Sequence, residues 1–138
     1  MKTKKDDLKP PPVESYTLEL SAEHLQVINS ALELFFRCGM GQYDHILDLP
    51  DHWDKRNDLA AEVLDQLHVI LTKKAPNAYS SITSSEISDS YRVANDIYQV
   101  IRHKLSWDKN PKGGMTVNYD TPMKWGKSPL IKIDKKLK

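Results

Sequence analysis

A single cysteine, Cys38, leaves the chain of 138 residues no partner for an internal disulfide. Its fold therefore has to come from burial and hydrogen bonding alone. No apolar run approaches the ~18 residues that a membrane-spanning helix requires, and no charged-then-apolar leader opens the chain. A cytoplasmic protein is expected. Glycine and phenylalanine are scarce, five and two residues, and neither a glycine-rich nucleotide fingerprint nor an internal repeat is present. What remains is ordinary for a globular domain: 39% hydrophobic and 28% charged residues.

The longest periodic stretch is SAEHLQVINSALELFFRCGMG, residues 21–41. On a helical wheel Leu25, Val27, Ile28, Ala31, Leu32, Leu34, Phe35, Phe36 and Cys38 cover an arc of roughly 200°, against the ~100° stripe of a surface helix. This predicts the central helix, with Ser21 as N-cap, Glu23 at the positive end of the dipole and Gly39 and Gly41 as the stop. Cys38 falls inside the arc and reads as a small buried hydrophobe. An arc that wide is more than two neighbours cover, so self-association is expected, with a dimer as the default.

Around this helix the pattern predicts a short helix over 42–49 ended by Pro50, a polar loop with Trp53, and a second long helix from Asp58, as its cap, to Lys74. The Ser-, Asn- and Thr-rich stretch 75–85 reads as a loop and a candidate mobile element. A third helix over 86–107, capped by Ser84 or Ser85, carries Ala94, Ile97, Ile101 and Leu105 as its core stripe. Alternation at 15–20, 115–119 and 130–133 predicts short strands. Helices between terminal strands imply an α+β domain: three long helices and one short helix with a small antiparallel sheet from the N- and C-terminal segments. Residues 1–14, with Pro10-Pro11-Pro12, read as a flexible arm, 15–133 as one domain and 134–138 as a basic tail.

The net charge of +1 is unevenly spread. Residues 124–138 hold six lysines and one aspartate, a net +5, which leaves 14 basic and 18 acidic residues, a net −4, for 1–123. An acidic body argues against a dedicated nucleic-acid surface, although the lysine tail could touch phosphate.

Few motifs carry chemistry. Trp125-Gly126-Lys127-Ser128 contains the GKS of a phosphate loop, but Thr121 stands where its first glycine belongs and Pro129 stops any following helix. Asp44, His45, Asp51, His52 and Asp54 cluster in sequence without a metal-ligand spacing, and His24, His68 and His103 fall on three different helices. No nucleophile–base or paired-carboxylate signature is visible, so no enzyme, cofactor or metal is expected. The suggestive groups are polar shoulders beside the core. Arg37 and Gln42 flank the glycine corner, and Tyr91, Asn95, Tyr98 and Arg102 share one side of the third helix, where rings, an amide and a guanidinium suit a base and a phosphate. These six residues are the predicted ligand site.

The segments ALELFFRCGMGQ (31–42) and YQVIRHKLSW (98–107), with the later GGMTVNYDTPM, resemble a group of small uncharacterised bacteriophage proteins. The resemblance implies expression in a host bacterial cytoplasm and attaches no catalytic motif. By analogy with small phage accessory proteins it sets the expectation of a binder that neutralises a host component, through a host protein or a nucleotide-like anionic ligand. A nucleic-acid-associated protein and a metal-dependent enzyme are the alternatives.

Overall fold

A computed structural model describes residues 14–137. The arm expected over 1–14 falls, apart from Glu14, outside them, as does Lys138 of the tail. Three α-helices are present, α1 (Ala22–Gly39), α2 (Asp58–Thr72) and α3 (Asp89–Lys109), with 3₁₀ segments at Tyr43–Asp48, Pro50–Lys55 and Val117–Tyr119. Among the described residues there is no strand, so the α+β reading fails and the fold is all-helical.

The three alternating stretches account for that error. Residues 15–20 have no regular structure and no pairing partner, with Tyr16 86% and Leu18 74% exposed, while Val117–Tyr119 makes a 3₁₀ turn and 130–133 is irregular. Alternation says which side chains share a face; a ladder also needs a neighbouring backbone. Here side chains take that role for the C-terminal segment, because Trp107 Nε1–H donates to the Tyr119 carbonyl and Asp96 accepts the N–H groups of Trp125 and Gly126. The terminal segments do approach each other, through Lys136 Nζ at 3.4 Å from Glu19 Oε1.

Helix α1 starts as its sequence predicts. Ser21 Oγ accepts the His24 N–H at 3.1 Å, and the Ser21 N–H donates to His24 Nδ1 at 3.2 Å, which makes the histidine the reciprocal partner of the cap. The helix ends in a paired motif: the Gln42 N–H donates to the Arg37 carbonyl, and the Gly41 N–H to that of Cys38, with Gly41 at φ 86°. The other boundaries move slightly. Asn57, not Asp58, caps α2 by accepting the Ala60 N–H at 2.8 Å; Ser88 rather than Ser84 or Ser85 caps α3; and Pro50 opens a second 3₁₀ segment that contains Trp53.

The central helix is α3, not α1. One face of α3 packs along α1, where Phe36, Met40, Ile87 and Ala94 form the buried cluster and Leu32, Ile82, Tyr91 and Tyr98 close around it. Its opposite face carries Asp89, Val93, Asp96 and Trp107, which hold the chain's return along 117–127. Gly39 permits the close α1–α3 approach, since a Cβ there would lie 2.3 Å from Tyr91 Cδ1. Helix α2 stands apart and packs on the 43–48 turn.

The loop 75–85 is tied down rather than loose. Arg92 reaches back from α3 to donate to the carbonyls of Ile82 at 2.9 Å, Ile87 at 3.3 Å and Ser84, while the Ser80 N–H donates to the Met40 carbonyl.

Candidate functional site

Two places gather the polar groups that sequence singles out. The first is the seam between α1 and α3. Arg37 donates to Gln42 Oε1 at 3.0 Å and pairs with Glu33 at 3.4 Å, one turn earlier, so the corner residues Arg37 and Gln42 do meet, but as partners of each other. On α3, Arg102 lies over the Tyr98 ring at 5.3 Å and donates to Gln99 Oε1 at 2.5 Å. Tyr98 stands edge-on to Phe36 with ring centroids 5.3 Å apart, and Arg37 lies over the other side of that contact, 5.5 Å from the Phe36 centroid.

The six predicted ligand residues therefore share a seam whose aromatic members serve the core. Tyr91 packs on Phe35 at 4.9 Å and on Gly39, and both Tyr91 and Tyr98 close over the buried cluster, while Asn95 is itself buried. Both rings are thus engaged with the core. What stays unspent is a pair of donors: Nε of Arg37 and Nε of Arg102 are both buried and have no hydrogen-bond partner.

The second place is the corner after α1. The carbonyl of Gly41 accepts from His68 Nδ1 at 2.8 Å, which joins the α1 stop to the middle of α2. A carbonyl only accepts, so Nδ1 carries a hydrogen, and in the one neutral tautomer this allows Nε2 presents a lone pair. His68 is 2% exposed and its Nε2 has no partner. Tyr43 and Tyr79 stand edge-on to the imidazole, with centroids 6.0 and 5.9 Å away. A cavity of about 60 Å³ opens beside this group, lined by Tyr43, Asp44, Leu47, Leu64, Asp65 and Tyr79 among others. His68 can be read in the sequence as a packed neutral histidine at the edge of an apolar arc; its bond to Gly41 across 27 residues leaves no local pattern.

The acid–histidine cluster comes apart. His45 Nδ1 pairs with Asp48 at 3.0 Å, Asp48 also pairs with Arg56, and His52 Nδ1 donates to the Ile46 carbonyl at 3.1 Å. Among the described residues no three His, Cys, Asp or Glu side chains gather as a metal site. Cys38 is only partly buried; burial first and the Asp44 carboxylate second push its thiol pKa up from 9.0, away from the thiolate that a nucleophile would need.

No described helix is long and apolar enough to cross a membrane. Comparison of the chain with protein-family models, with curated proteins and with solved structures finds no match.

Proposed function

We propose that this chain is a non-catalytic binding protein that works as a homo-oligomer, its copies joined through second apolar faces of α1 and α2. The observation that carries the reading is that both helices are apolar on two sides. On α1, Val27 and Ala31 are exposed on the side away from Phe36, and Phe35, which packs on Tyr91 with one part of its ring, is still half exposed. On α2, Leu59, Val63 and Ile70 are 68%, 53% and 61% exposed and lie about half a turn from buried His68 at 3.6 residues per turn. A standard interface would cover ~800 Å² per copy. A second copy fits because it brings the same faces.

Light scattering at tens of micromolar tests this. A mass of at least twice 15.8 kDa is expected. The double substitution Val63→Glu and Ile70→Glu, on exposed positions, should yield a monomer with unchanged helical content. A wild-type mass near 15.8 kDa would overturn the reading.

The role we assign to the assembly is that of a bacteriophage accessory protein acting in the host cytoplasm, where it neutralises a host component by occupying it. A second form of that role, capture of a nucleotide-like anion, is favoured by the two partnerless Nε–H groups of Arg37 and Arg102. Heat-released extract of the purified protein should then contain a phosphate-bearing compound, and Arg102→Ala should lose it without a change in melting temperature. A large loss of thermal stability with ligand content intact would make the seam a packing rim. The nucleic-acid and metal readings have less behind them: Lys136 pairs with Glu19, Lys124 donates to the Gly126 carbonyl, and His45 and His52 are engaged within their own turns.

A further inference from the structure

We infer that the cavity over His68 is a binding site for a primary ammonium group. This inference does not depend on self-association. His68 lines it, and its Nε2 lies buried behind that lining without a partner, while Nδ1 is committed to the Gly41 carbonyl, which in the neutral ring leaves Nε2 an acceptor. A lone pair held in that state selects a ligand that brings an N–H or O–H donor. One feature selects for positive charge among donors: the carboxylates of Asp44 and Asp65 line the same cavity, both on exposed residues, so they stand at its rim rather than its floor.

About 60 Å³ is room for the head of an alkylammonium. A bare metal ion is disfavoured by the donor set, since His68, Asp44 and Asp65 do not converge as a three-ligand group. Nε2 is covered as it stands. Entry to it therefore requires the lining to move. An ammonium that donates one hydrogen to Nε2 keeps its charge in the field of the rim carboxylates. The same chemistry belongs to a free alkylamine and to a lysine side chain of a protein partner.

The test uses the full chain labelled with ¹⁵N and n-propylammonium as probe, read by the His68 ring nitrogens and the ring protons of Tyr43 and Tyr79. Saturable movement of Nε2 at millimolar probe, with Nδ1 nearly still, is expected. Asp44→Asn with Asp65→Asn, at exposed positions, should weaken the response roughly tenfold or more, because charge-assisted partners are lost. Uncharged 1-propanol should bind far more weakly. A lysine-containing peptide that binds more tightly than propylammonium identifies a protein source; equal or weaker binding identifies a free amine. His68→Phe removes the acceptor and should abolish the response of the Tyr43 and Tyr79 ring protons, and an undiminished response would count against the inference. No movement of Nε2 at high millimolar probe, or an equal response from propanol or from the doubly neutralised variant, would overturn the inference and leave the cavity a site for water.

Discussion

Asp96 and Gly126 are held in one orientation from two sides. The Asp96 carboxylate, on a residue 3% exposed, accepts the Gly126 N–H through Oδ2 and the Trp125 N–H through Oδ1, each at 2.8 Å. A Cβ on residue 126 would lie 2.8 Å from Val93 Cγ2 and 2.9 Å from the Val93 nitrogen, so only glycine lets the strand of chain come this close to α3. The GKS segment that resembles a phosphate loop thus wraps an anion after all, one supplied by the chain itself.

Removing that carboxylate should be costly. Asp96→Ala leaves two backbone donors without their acceptors, at about 1–3 kcal/mol each when buried. A total loss of about 2–4 kcal/mol is expected, which is a fall of roughly 6–14 °C in melting temperature for a domain of this length. Asp96→Asn can accept only one of the two N–H groups with its single carbonyl oxygen and should fall between that variant and the wild type. Calorimetry on the three proteins checks the order.

The same relationship divides the C-terminal segment. Deleting Lys135–Lys138 removes the Lys136–Glu19 pair, whose two side chains are both about three-quarters exposed, so the melting temperature should stay within ~2 °C. Truncation before Trp125 removes the partners of Asp96 and Asp89 and strands a buried carboxylate. A much larger fall is expected, and a shift of similar size from the two truncations would show that the docking at Gly126 contributes little.

Arg92 gives a test of how the long loop is held. Its guanidinium reaches three carbonyls, those of Ile82, Ser84 and Ile87, from a single fork, with Asp89 3.9 Å away. Arg92→Lys keeps the charge but cannot reach three acceptors from one point. A loss of about 1–3 kcal/mol is expected, with amide exchange of 80–87 accelerating before that of α1. Uniform acceleration across the chain would mean that the loop and the helices open together.

The contrast between these residues and the helices shows what a single sequence displays. Periodicity along 22–39, 58–72 and 89–109 reports burial on one side of a helix, and caps such as Ser21 lie within three residues of their partners. These are local relations, so the helices were legible to within a few residues. The bonds that organise the rest span 10, 27 and 30 residues, in Arg92–Ile82, His68–Gly41 and Asp96–Gly126, and they join side chains to backbone, which has no letter in the sequence. The width of the α1 arc was read as centrality. It instead reflects two apolar faces, only one of which α3 covers, while α3 itself hides its polar inner residues Asn95 and Asp96 behind an unremarkable pattern. Alternation misled for the converse reason, since Tyr16, Leu18 and Leu20 have the period of a strand and no neighbour to pair with.

The final prediction concerns alkaline pH. Burial and then Asp44 hold the Cys38 thiol above 9.0, and burial, Cys38 and then Tyr91 hold the Tyr43 phenol above 10.0. For both groups the folded chain keeps a proton that the unfolded chain gives up, so the associated stability is fully present below the unfolded values and is lost as pH rises through the folded ones. The melting temperature should therefore begin to decline near pH 9 and fall further above pH 10. Cys38→Ala should remove the earlier part of that decline and leave the later part. Asp44→Asn tests the smaller cause separately: at pH 8 it should raise the rate of Cys38 alkylation, because losing a nearby negative charge lowers the thiol pKa. Asp44 lies on an exposed turn, so the fold should be unaffected. An unchanged alkylation rate in Asp44→Asn, together with a pH-independent melting temperature between 8 and 10 in the wild type, would show that Cys38 titrates as it does in an unfolded chain.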